Sequence, residues 1–523
     1  MGHGGAAPLA RTGPARLYCA RIAGRRPRRA VQLSDVTDTA AAALRGAGGR
    51  LADLMTPTLR LGVTGLARAG KTVFITALVR NLVSGGRLPF FAAMAEGRIA
   101  RAYLEPQPDD RVARFAYEEH LADLGADPPQ WPESTRQISQ LRITVEYAPA
   151  GMLRRALASG RLHIDIVDYP GEWLLDLPLL ELDFAQWSQR AVGEAQLRQR
   201  APAARAWLEF LATVDPAGPA DEQVALKGAK LFTLYLQEAR APDANLLAPG
   251  PGRFLLPGDL AGSPLLTFFP LPLAVDGGGG RGSLSAMLAR RFESYKAHVV
   301  KPFFRDHFAR LDRQIVLVDA LTAVNGGAEA LRELERTLAA VLAAFRPGAG
   351  TWLSWMLPRR IDRLVFAATK ADHLHHSSHD RLEAILRRTV ARAAERAAHE
   401  EAAIDVVAVA AVRATREAQV ARGREKLPSI LGTPMAGESA NGEMFDGETE
   451  VATFPGDLPE NPEALFAGDG AFRGLSSTAS DKADYLFLRF RPPRLESAGD
   501  APPALPHIRL DRVLQFLIGD RLQ

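Results

Sequence analysis

A chain of 523 residues exceeds what one hydrophobic core supports and, at roughly 150 residues per domain, reads as about three units. Apolar residues make up 47% and charged residues 24%, the make-up of a soluble globular protein, and the only cysteine, Cys19, excludes a disulfide scaffold within the chain and suits a reducing cytoplasm. The net charge of +4 belongs to the first 30 residues, which hold seven arginines, no lysine and no acid; 4 minus 7 leaves −3 for the rest, so no nucleic-acid partner is expected of it.

From the N-terminus, residues 1–33 read as a disordered basic leader, densest at Arg25-Arg26-Pro27-Arg28-Arg29. It lacks the apolar stretch of a signal peptide, and no uncharged apolar run of 18 residues exists in the chain, so no membrane span is expected. A helix is expected over 34–55, with Ser34 as its cap. Residues 59–64 form a short strand-like run and 73–79 open a helix, while 85–135, rich in proline and aspartate, read as irregular. Leu141, Ile143, Val145 and Tyr147 alternate with Arg142, Thr144 and Glu146, and residues 162–168 repeat that period; the two strands are expected to pair antiparallel at a half-exposed sheet edge. The continuous apolar runs 315–318, 364–368 and 406–409 suit central parallel strands, with helical patterns between them at 328–345 and 380–403.

Residues 175–311 carry helical patterns at 204–214, 220–240 and 285–311 and read as an inserted helical domain. Beyond 425 the composition suits hairpins and loops, then a strand at 485–490 and a closing amphipathic helix over 507–522. The expected fold is α/β: a P-loop, doubly wound, mostly parallel sheet of GTPase type, built from 34–174 and 312–424, with one antiparallel edge strand and the helical insertion.

Gly65-Leu66-Ala67-Arg68-Ala69-Gly70-Lys71-Thr72 fits G-x-x-x-x-G-K-[ST] between a strand and a helix. Amides of Gly65, Arg68, Ala69, Gly70, Lys71, Thr72 and Val73 would face a polyphosphate, Lys71 would reach its β- and γ-phosphates, and Thr72 would hold Mg²⁺. Without an anion, Lys71 would sit unfavourably at a helix start. Asp168-Tyr169-Pro170-Gly171 follows a strand and fits D-x-x-G, with Asp168 toward Mg²⁺ and the Gly171 amide toward the γ-phosphate. Thr369-Lys370-Ala371-Asp372 resembles N-K-x-D with threonine in first place. Asp372 could accept from guanine N1–H and N2–H₂, donors that adenine does not offer in that arrangement, and the Lys370 stem could cover the base. Backbone amides of Ala411 and Val412 stand where guanine O6 could be met. Thr135 is the candidate for a threonine over the γ-phosphate and Mg²⁺, with Ser134 and Ser139 competing.

With these motifs in this order the chain resembles the YcjX-like family of bacterial P-loop GTPases, at 65–72, 131–135, 168–173, 301–308, 314–319 and 369–373. The resemblance covers about residue 34 to the C-terminus. It implies a GTPase-type sheet with a helical insertion, GTP or GDP binding and a stress-linked role, and threonine at 369 is normal within it. Hydrolysis would rest on Lys71, Mg²⁺ and the loop amides. Glu172 replaces the water-orienting glutamine of many GTPases and either serves as a base or turns away to pair with arginine. No arginine stands three residues before Thr135, where Pro132 lies; Arg68 and Arg136 are the internal candidates, and slow turnover with acceleration by a partner is expected. Competing readings are an ATP-using ATPase or kinase with Asp372 structural, and a nucleotide-stabilised scaffold. A protein effector acting through the insertion, and peripheral membrane contact through the leader or the loop 264–272, are further expectations. His373, His375, His376 and His379 invite a metal reading, with His375 and His379 on one helical face. No cysteine or firm carboxylate completes it, so the cluster reads as a solvated helix start.

Overall fold

The computed structural model describes residues 56–65, 68–133, 137–150, 160–197, 201–239, 250–272, 280–345, 361–398, 403–422, 424–440, 442–466, 485–495 and 504–523. The leader, the helix expected over 34–55, Cys19, Leu66, Ala67, Ser134, Thr135 and Arg136 lie outside these residues. Everything that follows concerns the compact unit from Pro57 to Gln523.

Its centre is an eight-stranded sheet of β1 (Thr58–Gly65), β2 (Ile99–Glu105), β3 (Ala113–Arg114), β4 (Ser139–Tyr147), β5 (Gly160–Asp168), β6 (Arg313–Val318), β7 (Arg363–Ala368) and β8 (Ala403–Ala408). The spatial order is β2-β4-β5-β1-β6-β7-β8, with β3 added against β4. From β5 to β8 all neighbours are parallel, and β4 runs antiparallel to both β5 and β2. The sheet is therefore the mostly parallel α/β sheet expected, with its antiparallel strand one place in from the edge. β2 takes the outer position, within the stretch read as irregular, which also folds a helix, α2 (Tyr117–Leu124).

The alternating residues of β4 and β5 do not make a half-exposed face, because both strands are largely buried. Their polar residues face one another instead. Arg142 lies opposite Asp165 and Thr144 opposite His163 in the register. The Arg142 guanidinium donates twice to Asp165 at 2.6 and 2.8 Å, and Thr144 Oγ1 is 2.8 Å from His163 Nδ1. Cross-strand pairing satisfies groups that burial would otherwise penalise.

The parallel strands send alternate side chains into two cores. On one face Ile315 and Leu317 of β6 and Val365 and Ala367 of β7 pack with α1 (Lys71–Val83) and the C-terminal α11 (Leu510–Ile518). On the other face Val316, Val318, Leu364 and Phe366 join α9 (Gly327–Phe345) and α10 (His379–Ala398). The second core continues without interruption into residues 184–311. There α3 (Phe184–Ala195), α4 (Ala201–Leu211), α5 (Glu222–Ala239) and α6 (Leu284–Tyr295) enclose an aromatic cluster, with Trp187 stacked on Phe292 at 4.9 Å and Trp207 on Tyr235 at 5.4 Å. Gly228 lets Phe269 close on α5, since a Cβ there would stand 2.2 Å from that ring. The helix expected as one piece over 285–311 is divided. Pro302 has no N–H to return to the preceding turn, and the chain widens into a π turn over Lys296–Val300 before α7 (Lys301–Asp306).

After β8 the chain forms a three-stranded sheet of β9 (Arg416–Arg422), β10 (Glu425–Gly432) and β13 (Val451–Thr453), with the two-residue strands β11 (Ser439–Ala440) and β12 (Glu443–Met444) pairing beside it. The segment expected as a strand at 485–490 runs without regular structure and makes one bridge, Phe490 to Pro434. Among the described residues no helix is long and apolar enough to cross a membrane.

Candidate functional site

Parallel strands point their C-terminal ends the same way, and ligands of open α/β sheets bind beyond those ends. The register sets Val63 beside Asp168, Gly65 beside Leu317, Val318 beside Ala368, and Ala368 beside Ala408. The loops leaving β1, β5, β6, β7 and β8 therefore share one rim, and with them the described residues of the glycine turn, of 168–171, of 369–372 and of 411–412.

β1 ends at buried Gly65, and the chain turns through Arg68 at φ 64° and Gly70 at φ 76°. Left-handed backbone costs glycine little and costs arginine more, so the strain at Arg68 falls within the candidate site. Ala69 is buried and Arg68 exposed. Gly70 caps α1, and the first helical bond runs from Phe74 N–H to the Gly70 carbonyl at 2.9 Å. The amides of Lys71, Thr72 and Val73 precede that bond and have no helical acceptor, which makes the turn a seat for an anion.

Lys71 Nζ lies 2.5 Å from Asp168 Oδ1, with the carboxylate almost wholly enclosed at 1% exposure. The aspartate supplies the negative charge that a lysine at a helix N-terminus needs. Its other oxygen receives the Ser139 hydroxyl at 3.4 Å. Buried Thr72 adds a hydroxyl to this rim. A hydroxyl and a carboxylate are the hard oxygen donors that Mg²⁺ takes, so the residues present suit that ion.

Beyond Asp168, Tyr169 is sealed in the core, where its hydroxyl donates to Gln314 Oε1 at 2.9 Å and burial pushes it well above the ordinary phenol range. Gly171 and Glu172 open a 3₁₀ helix, Gly171–Glu181, and both are buried. The inserted segment rests directly on this turn. A Cβ on Gly252 would stand 1.8 Å from the Glu172 carbonyl oxygen, so only glycine permits the approach. The Arg253 guanidinium lies 3.3 Å over the Trp173 ring. Asp176 accepts from Gly252 N–H at 2.7 Å and from the Tyr295 hydroxyl at 2.8 Å.

Burial pushes the Asp176 carboxyl up to about 7, against the pull of those two donors. The folded chain thus holds this proton more tightly than the unfolded one. The resulting stability is full below pH ~4 and is lost as pH rises through 7. A rise of about three pH units from the ordinary 3.8 is worth about 4 kcal/mol. In urea unfolding, the advantage of the wild-type chain over Asp176→Asn should shrink by that order between pH 4.5 and 8. A difference that stays constant across the range would show that Asp176 does not carry the proton.

The third cluster follows β7. Thr369 bonds the Val318 carbonyl with both its amide (2.9 Å) and its hydroxyl (3.3 Å), tying this loop to the end of β6. Lys370 is left-handed at φ 61°, and its Nζ is 2.5 Å from Asp319 Oδ2. Asp319 caps α8 (Ala320–Asn325) through the amide and hydroxyl of Thr322. Burial would raise its carboxyl, but the Lys370 ammonium and the Thr322 donors outweigh this and hold it below the usual carboxylate range. Asp372 is buried; Oδ2 accepts from Ala414 N–H at 2.8 Å and its backbone carbonyl from the Thr415 hydroxyl. Its Oδ1 makes no hydrogen bond among the described residues. Ala411, half-buried, and Val412, buried, follow β8, where Ala371 N–H reaches the Val409 carbonyl at 3.2 Å.

Four partners escaped the motif reading. Asp319 had the same signal as Asp168, an aspartate ending a buried strand. Ala414 and Thr415 act through a backbone amide and a hydroxyl and carry no spacing rule. Asp176 is one acid among apolar residues, and only its burial sets it apart. The histidines also regroup. His379 Nε2 is 2.9 Å from the Ala371 carbonyl and His373 packs edge-on against Phe490, while the carboxylate missing from the sequence pattern arrives from β9 as Glu417.

Residues 59–522 match the model of the YcjX-like family. The chain is 37% identical over 476 residues to a protein of Escherichia coli strain K12 named Ras-like GTPase YcjX, covering 89% of this chain and 96% of that one. It is 33% identical over 485 residues to a Shewanella oneidensis protein of the same name, covering 89% and 95% respectively.

Proposed function

The chain belongs to the YcjX-like family, and from that premise we propose that it binds guanine nucleotide and hydrolyses GTP to GDP and phosphate with Mg²⁺. The observation that carries this reading is the Lys71–Asp168 pair at the mouth of the glycine turn. A triphosphate offers Lys71 a stronger anion than one carboxylate does. Lys71 then moves onto the phosphates, and Asp168 is released. The amides of Gly70 to Val73 hold the phosphate tail, and the Gly171 amide meets its end. Glu172, beside it in the chain, orients or deprotonates the attacking water. Thr72 and Asp168, with Thr135 outside the described residues, would hold Mg²⁺, which when bound neutralises charge on the phosphates. Asp372 reads guanine through two N–H donors, with Lys370 along the base and Ala411 and Val412 behind it.

The same reading makes the protein a switch, because Gly171 and Glu172 open the turn on which Gly252 and Arg253 rest. Loss of the γ-phosphate frees the Gly171 amide, and a protein effector would sense this through the helical insertion. The stress-linked role belongs to the proposal and rests on the family resemblance alone. Calorimetry on the intact chain with GTP, GDP and ATP, with and without Mg²⁺, tests the nucleotide. GTP and GDP should bind about a hundredfold more tightly than ATP. Equal binding of ATP would sink the guanine assignment, and single-turnover phosphate release no faster than background would make the protein a scaffold.

A further inference from the structure

We propose that His375, His376 and Glu417 form a binding site for a first-row transition metal ion, Zn²⁺ in the first place. One ligating atom from each residue lies within 4.8 Å of the other two. The imidazoles are 4.2 Å apart between centroids, and His376 Nδ1 is 3.0 Å from Glu417 Oε2. Two imidazoles and one carboxylate, with a fourth position open to water, are a recurrent zinc donor set. Imidazole selects zinc, cobalt, nickel or copper over magnesium, so this site differs in kind from the oxygen rim at Thr72 and Asp168.

The surroundings orient these side chains. Nδ1 of His375 accepts from the Ser377 amide at 3.4 Å and lies 3.0 Å from the Ser377 hydroxyl, which sets the orientation of the ring. Arg413 approaches only the far oxygen of Glu417, Oε1, at 3.7 Å.

The location gives the site a consequence. His375 and His376 stand three and four residues beyond Asp372, and Glu417 stands on β9 just after Ala414 and Thr415, which hold Asp372. A bound ion would tie these two segments with coordinate bonds. The site itself stands on its own three side chains, whatever nucleotide the rim takes.

The test uses the full chain, stripped with a chelator and free of nucleotide, titrated with Zn²⁺ alone by calorimetry and with Co²⁺ by visible absorption. One ion per chain should bind with a dissociation constant of about 1–10 μM. His376→Ala and Glu417→Gln should each weaken it about a hundredfold. Both residues are exposed, so the variants should unfold at the wild-type temperature in the absence of metal, which controls for folding. Binding at wild-type affinity in both variants would put the ion elsewhere and overturn the proposal. So would an adventitious ion only, seen as millimolar binding or as several ions per chain.

Discussion

Lys71→Ala is expected to lower GTP affinity by about two to three orders of magnitude, since a lysine meeting two phosphates makes charge-assisted bonds worth roughly 1.5–3 kcal/mol each. Phosphate release should fall to background. The nucleotide-free chain should change as well, because its Lys71 is only 12% exposed and is bonded to an aspartate at 1% exposure. Removing one member of an enclosed pair strands the other charge and costs about 3–5 kcal/mol when both are fully buried. Here about 2–3 kcal/mol is expected, read from urea unfolding. The double variant Lys71→Ala/Asp168→Asn separates the two effects. It should regain most of the lost stability, since no unpaired charge remains, and none of the lost affinity. A Lys71→Ala protein that binds GTP like the wild type would remove the nucleotide reading altogether.

Asp372→Asn should exchange one base for another. In the wild-type chain Oδ2 is engaged by the Ala414 amide, and under the proposed function Oδ1 is the oxygen left for the two N–H donors of guanine. In the variant the single carboxamide oxygen keeps the Ala414 amide, so the –NH₂ group turns toward the base. It then faces guanine's own donors, and GTP should bind about a hundredfold more weakly. Xanthine carries a carbonyl in place of the exocyclic amine and accepts from that –NH₂. Xanthosine triphosphate should therefore overtake GTP in competition for the variant while remaining the weaker ligand of the wild type. A variant that retains its preference for GTP would mean that Asp372 serves only to hold Ala414.

What was legible along the chain and what was not divide on physical lines. The parallel strands were legible because burial on both faces writes them as unbroken apolar runs, such as 315–318 and 364–368. The glycine turn between β1 and α1 was legible because its requirements are local, two glycines, a lysine and a hydroxyl within eight residues. β2 was not, because Ile99–Glu105 is mostly half-buried and carries Arg101, Tyr103 and Glu105; it is held by contacts such as Arg101 to Glu146 at 2.6 Å. Its pattern matches neither a buried run nor a clean alternation. The polar positions of β4 looked solvent-facing because their partners, Asp165 and His163, are on another strand, and register is invisible to a one-strand reading. The same holds for the Asp319–Lys370 and Glu417–His376 pairs, which are joined only by the fold.

The apolar interior that begins on one side of the sheet and runs on into the aromatic cluster of α3 to α6 restricts how this molecule can move. A lobe with a core of its own can swing on a flexible joint at little cost. Here such a swing would bare Val316, Phe366 and their partners to water, at about 25 cal/mol for every Å² uncovered. Rearrangement therefore has to proceed by slippage, with side chains trading neighbours over an ångström or two while the interior stays dry. A signal carried this way is small in amplitude and stiff in transmission, and Gly252, resting on the Glu172 carbonyl with no side chain between them, is where it would enter.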